Sequence, residues 1–223
     1  MCGRITLAIS RDDLYTFLQE ELDIEQFQVD YPLPRYNIAP SQSVLSVLFD
    51  GTNNRIGTLK WGFIPPYSKT EQSKYTLVNI KQETLFTKNT FTEAFSKRRC
   101  LILGDGFYEW KQKDDKKIPM RIQSEKEKML LFAGLWTTFV RDNGEKVHTC
   151  AIITTQSNAF MESIHHRMPV ILTKEQSKIW LREKNVFSLQ EFLEKPTIAL
   201  DGYEVGNAVN FVQNDSVECI QKR

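Results

Sequence analysis

The feature that most constrains this chain is a run of strand-length segments through its middle. Arg99–Leu103, Phe107–Gln112, Ile118–Gln123, Met129–Trp136 and Val147–Thr155 follow one another across short connections. Each is shorter than an ordinary helix and rich in β-branched, aromatic or large apolar residues, which suit a pleated, half-buried surface. Asp142-Asn143-Gly144 separates the last two, and Asn-Gly is a strong hairpin signal because both residues accept positive φ. The middle of the molecule is therefore expected to be sheet.

Helical patterns lie around this run. Ser10 reads as an N-cap before Leu14, Phe17 and Leu18 on one helix face. Thr84–Ser96 would turn Phe86, Phe91 and Phe95 inward, and Asn158–Ile164 is a short helix. Thr173 and Gln176 form a capping box ahead of Ile179, Trp180 and Leu181. Further strands are expected at Cys2–Leu7, Val44–Phe49, Arg55–Phe63 and Met168–Leu172, with Thr197–Val205 and Ser216–Gln221 closing the sheet. Tyr31–Pro40 is a Pro-rich but ordered loop. With no repeat and no domain boundary, the expectation is α+β: a single β-rich domain over residues 1–223, with curved or barrel-like sheets and peripheral helices.

The 223 residues are 41% hydrophobic and 11% aromatic, ample for a globular core. A net charge of +1 means that any nucleic-acid surface must be a local cleft. The cysteines at 2, 100, 150 and 219 form no CxxC pair, and the histidines supply no zinc spacing, so no metal or other cofactor is expected. Cys100 and Cys150 read as small core residues in a reducing compartment. Without a long apolar run or a signal-peptide pattern, the expected place is the cytoplasm, away from membranes.

Cys2 carries the most specific chemistry. Met1 is removable when a small side chain follows, and Cys2 would then offer an α-amine and a thiol on adjacent carbons. Their reference pKa values of roughly 7.7–8.0 and about 8.5 leave usable fractions of amine and thiolate near neutrality. Such an aminothiol condenses with an aldehyde to an imine and then closes a thiazolidine. An incidental terminal Cys fits the position equally well.

Other polar residues stand where strand packing does not ask for them. Arg4 suits a phosphate beside Cys2, or a surface ion pair. Asn79 suits a sugar or carbonyl oxygen and Lys81 a phosphate, or they are a turn residue and a solvated charge. Glu109 lies between Tyr108 and Trp110. A carboxylate is costly to bury there unless paired or protonated, whereas an edge strand would leave it wet. In Ile164–Val170, one of His165 and His166 can shuttle protons while Arg167 holds a phosphate, and adjacent histidines on extended chain should point apart. Trp61, Phe63 and Pro40 can stack against bases or belong to the core.

Together these segments resemble the SRAP family, the SOS response-associated peptidase-like proteins that sense abasic sites in single-stranded DNA. The matching stretches are Cys2–Ile5, Arg35–Pro40, Trp61–Phe63, Asn79–Thr84, Arg98–Trp110, Ala133–Trp136, Thr154–Asn158, Ile164–Val170, and Val209–Asn210 ahead of Asn214–Ile220. The ordered set runs from residue 2 to 220 and resembles a bacterial or bacteriophage member without an added tail.

The resemblance implies that Cys2 forms a thiazolidine crosslink with the ring-opened abasic sugar, shielding the lesion. It implies that Glu109 manages protons at the aldehyde and that His165 assists ring opening and crosslink reversal, while Asn79 holds sugar and Cys2. Arg4, Lys81 and Arg167 fall at phosphate-contacting positions, and Pro40, Trp61 and Phe63 on a base-stacking surface. Strand cleavage by elimination would be a lyase side reaction, and any peptidase activity would be limited to self-processing. The implied partners are abasic single-stranded DNA and replication-fork proteins, met by a monomer that associates with the nucleoid when bound. Ile80-Lys81 replaces the family's usual Ala-Arg, which keeps charge but loses bidentate phosphate binding. Leu103-Gly104 replaces Pro-Ala, and Val217 replaces Pro. The rival readings are an N-terminal-Cys hydrolase of amidotransferase type and a non-covalent single-strand-binding module.

Overall fold

The computed structural model describes residues 2–25, 28–71, 76–194 and 198–223. In chain order these hold β1 (Ile5–Leu7), α1 (Arg11–Leu22), β2 (Arg35–Ile38), β3 (Ser43–Phe49), β4 (Asn54–Trp61) and β5 (Asn79–Lys81). Next come α2 (Asn89–Lys97), β6 (Arg99–Gly104), β7 (Gly106–Lys113), β8 (Lys116–Ser124), β9 (Leu130–Val140) and β10 (Lys146–Gln156). The chain continues through α3 (Ala159–Glu162), β11 (Arg167–Pro169), β12 (Ile171–Leu172), α4 (Lys174–Arg182), α5 (Gln190–Glu194) and β13 (Leu200–Glu204). This is a mixed α+β domain, mostly sheet.

One sheet has the order β13-β8-β7-β1-β2. The other closes on itself: β4, β3, β6, β9 and β10 pair in sequence, and β10 returns to β4. Closure removes exposed strand edges. The β10–β4 contact is parallel, with Cys150 opposite Trp61, whereas β9 and β10 form the antiparallel hairpin that Asp142–Gly144 foretold. Beyond β4 and β9, the end of β10 is flanked by β5 in parallel and β11 in antiparallel register; Thr154 lies opposite both Lys81 and Pro169. This junction brings residues about 90 positions apart in sequence onto one ledge.

Local signals behave as their chemistry requires. The Ser10 side chain accepts from the Asp13 N–H, and the Thr173–Gln176 capping box is complete. Leu14, Leu18 and Leu22 line the buried face of α1. Cys100 and Cys150 are fully buried thiols, as small core residues should be.

The structure departs from the expected elements in several places. The Thr84–Ser96 helix is broken into a 3-10 turn at Gln82–Thr84 and α2, which leaves Phe86 partly exposed while Phe91 and Phe95 are buried. Ser216–Gln221 is not a strand: Val217–Ile220 is a 3-10 turn, because Asp215 accepts the main-chain N–H groups of Tyr36 and Asn37 and bends the segment against β2. The last sheet strand is β13, and Thr197 lies outside the described residues. β5 was not anticipated, since Asn79–Lys81 has too few residues to show a period.

Candidate active site

Successive strand side chains face opposite ways, and β7 uses both faces. Phe107 joins the main core, whereas Tyr108 and Trp110 join a smaller cluster with Val205, Val209 and Cys219. Glu109 shares the Phe107 face and is only 3% exposed. Because β7 runs between β8 and β1, the wet edge-strand alternative does not apply.

Cys2 lies three positions ahead of the start of β1 and is fully buried. Its carbonyl oxygen accepts a 2.8 Å hydrogen bond from Nδ2 of Asn79 on β5. Among the described residues, the buried Asn79 Oδ1 has no hydrogen-bond partner. Burial and, second to it, the negative charge of Glu109 push the Cys2 thiol well above its ordinary pKa. Burial lowers the pKa of His165, while Glu109 acts in the opposite direction. One carboxylate thus acts on both thiol and imidazole, while Asn79 of the closed sheet is bonded to Cys2 beside β1 of the other.

His165 is half-buried on the loop entering β11, and the Arg167 N–H donates to its Nδ1 at 3.0 Å. His166 does not point away as expected for extended chain. A bend at His166 stacks the two rings, with centroids 4.4 Å apart and planes at 22°. Lys81, opposite Thr154 of β10, is exposed. Among the described residues, no cluster of His, Cys, Asp or Glu is suited to hold a metal ion.

The two arginines are held, not loose. Arg4 donates from Nη1 to Asn37 Oδ1 at 2.5 Å and to the Val209 carbonyl at 2.7 Å, and its guanidinium lies 5.7 Å from the Trp110 ring centroid. Arg167 is 6% exposed and forms a bidentate pair with Glu83 at 2.6 and 3.0 Å. Any phosphate contact must therefore use the remaining edges of these groups or displace a partner.

The stacking surface requires correction. Trp61 and Phe63 are buried, and the Trp61 indole N–H donates to the Val78 carbonyl at 3.0 Å. The chain entering β5 covers them: Phe63 bridges to Leu77, and Thr76 packs against Gly62. Of the three residues expected on that surface, only Pro40 stays partly exposed. Half-buried Trp110 and the 57% exposed Phe211 offer apolar surface on the Arg4 side instead.

Neighbouring polar residues of the motif are structural. Asp105 accepts from the Ala8 N–H and pairs with Arg121 at 2.7 Å. Arg99 donates to the carbonyls of Phe95, Ser96, Trp180 and Glu183, tying down the ends of α2 and α4. Two site residues carried no role in the sequence reading. Asn37 holds Arg4 and the Val209, Phe211 and Asn214 carbonyls. Glu83 holds Arg167. The available signal for Asn37 was an amide between Tyr36 and Ile38 in a short strand-length stretch.

Residues 1–212 match the SOS response associated peptidase (SRAP) family. The chain is 44% identical to a Bacillus subtilis protein, abasic site processing protein YoqW, over 99% of both chains. It is 27% identical to the Escherichia coli abasic site processing protein YedK over 99% of both. It is 30% identical to the rat abasic site processing protein HMCES, covering 99% of this chain and 75% of that one. A solved structure from Bacteroides thetaiotaomicron shares the fold with a TM-score of 0.86 at 22% identity, covering 100% of both chains. By the near-complete match of its length, this chain belongs to the SRAP family.

Proposed function

We propose that this protein processes abasic sites in single-stranded DNA, capturing the sugar aldehyde as a thiazolidine on the α-amine and thiol of Cys2. The observation that carries this reading is the hydrogen bond from Asn79 to the Cys2 carbonyl, beside a Glu109 that acts on both Cys2 and His165. The anchor restrains the main chain of Cys2 without occupying its nitrogen or sulfur. Relatives across the whole chain bear the name abasic site processing protein, which supports the substrate.

Removal of Met1 frees the amine. The amine adds to the ring-opened aldehyde and one water leaves, giving an imine. The thiol then adds across the C=N bond: sulfur bonds to carbon, and its proton ends on nitrogen. Glu109 relays these protons, and His165 assists opening of the sugar ring. Elimination from the imine would instead cut the strand, so fast ring closure separates protection from lyase activity. Reversal of the adduct runs the same steps backwards. Arg4, Lys81 and Arg167 supply positive charge for flanking phosphates. The protein acts as a cytoplasmic monomer, joins the nucleoid when bound, and meets replication-fork proteins there. Proteolysis is limited to self-processing at Met1.

The test is intact mass spectrometry after incubating Met1-processed protein with single-stranded DNA bearing one abasic site. A species at protein plus DNA minus one water, absent with Cys2→Ala and with undamaged DNA, is expected. Salt-reversible binding indifferent to Cys2 would replace this reading with a non-covalent single-strand binder, and glutaminase activity would replace it with an N-terminal-Cys hydrolase.

A further inference from the structure

The Glu83–Arg167 pair links the two segments that supply the site. Glu83 lies in the turn directly after β5, four positions beyond Asn79. Arg167 opens β11, two positions beyond His165. Their bidentate contact is reinforced by a 2.7 Å bond from Arg167 Nη2 to the Thr154 carbonyl on β10, the strand that both segments flank. The Glu83 carboxyl is held below its ordinary range chiefly by its hydrogen bonds to Arg167, so it remains a charged clamp at neutral pH.

Arg167 meets the His165 ring through its main chain. Its N–H donates to Nδ1 at 3.0 Å, and its carbonyl oxygen lies 3.2 Å from the same nitrogen. A neutral imidazole whose Nδ1 accepts a hydrogen bond carries its proton on Nε2. The carbonyl offers Nδ1 a partner once the ring is protonated, so the ring can keep its orientation in either charge state.

We propose that Glu83 is a positioning residue for His165: by clamping Arg167 it fixes the main chain that holds Nδ1 and makes Nε2–H the donor turned to the substrate. Resting on the abasic-site reading, this assigns neutral His165 a hydrogen-bond donor role toward the sugar ring oxygen, whose release opens the aldehyde. The role requires no contact between Glu83 and DNA.

The experiment is nitrogen-detected NMR of the His165 ring in the full chain at a pH where the ring is neutral, paired with single-turnover adduct formation. In the unsubstituted protein, Nε2 should show the protonated shift and Nδ1 the acceptor shift. Glu83→Ala should mix the tautomers and slow adduct formation on the order of tenfold to a hundredfold, the usual effect of a misplaced catalytic group. Glu83→Asp, which keeps the charge on a shorter stem, should restore part of both readouts. If Glu83→Ala fails to fold, Glu83→Gln is read in its place and should show the same direction of change. An Nδ1–H tautomer in the unsubstituted protein overturns the proposal, as does an unchanged tautomer and rate in a folded Glu83 variant. Because the tautomer is read without DNA, a protein that forms no adduct but shows the expected shifts would sink the abasic-site reading and leave the clamp standing.

Discussion

Nδ2 of Asn79 donates to the carbonyl oxygen of Cys2 across 2.8 Å, fastening the start of the chain to a strand of the closed sheet. Without this bond, the residue expected to carry the reacting amine would lose its side-chain tie to β5. Terminal segments fray unless something holds them. Here a single side-chain amide supplies a directional hold.

Asn79→Ala removes that hold. The lost hydrogen bond is worth about 0.5–1.5 kcal/mol, so adduct formation should slow by up to about tenfold with little change in melting temperature. Asn79→Asp should be at least as slow, since a carboxylate oxygen would face the Cys2 carbonyl. Single-turnover rates on a denaturing gel check both, and an unaltered rate would remove Asn79 from the site.

Glu109 raises the Cys2 thiol pKa because a second negative charge disfavours the thiolate. Glu109→Gln deletes that charge, lowers the thiol pKa and increases the thiolate fraction at a given pH. In protein retaining Met1, alkylation of Cys2 at pH 8 should therefore quicken, by about tenfold for each unit the pKa falls. Peptide mass spectrometry reads Cys2 separately from Cys100 and Cys150, whose buried thiols serve as unaffected references.

Arg99 sits within the most conspicuous motif yet, among the described residues, donates to the carbonyls that end α2 and α4. Arg99→Met leaves buried acceptors unpaired and should cost about 2–4 kcal/mol, seen as a lower urea midpoint. Adduct formation per folded molecule should not change. A selective loss of DNA chemistry with intact stability would contradict a purely structural role.

Lys81 is exposed at the end of β5, two positions beyond Asn79. If it contacts a phosphate, Lys81→Ala should reduce the slope of log affinity against log salt by about one. Lys81→Arg should restore the slope. A non-crosslinking abasic analogue in single-stranded DNA, titrated at several salt concentrations, separates this electrostatic term from covalent capture.

Legibility followed the range of the interactions. The central strands, the Asn143-Gly144 hairpin, the Ser10 cap and the Thr173–Gln176 box arise from neighbours a few positions apart, and their signals stand in the local residue pattern. Burial depends on what the chain lays across a residue from afar. Trp61 looked available for stacking, yet the segment from Thr76 to Val78 covers it. The stacked His165 and His166 rings likewise follow a bend that alternation alone did not disclose.

The sequence by itself determined the β-rich α+β class, the family resemblance, and a set of polar residues too costly for ordinary strand positions. Tertiary structure alone decided which of them meet. Sheet closure puts β5 and β11 on either side of β10, so Asn79, Glu83, His165 and Arg167 share a ledge despite their separation in the chain. Elsewhere in the fold, Asn37 holds Arg4, and Arg99 holds two helix ends. Side-chain chemistry is a property of each residue, whereas desolvation and hydrogen-bond partnership are properties of the neighbours that strand register brings near.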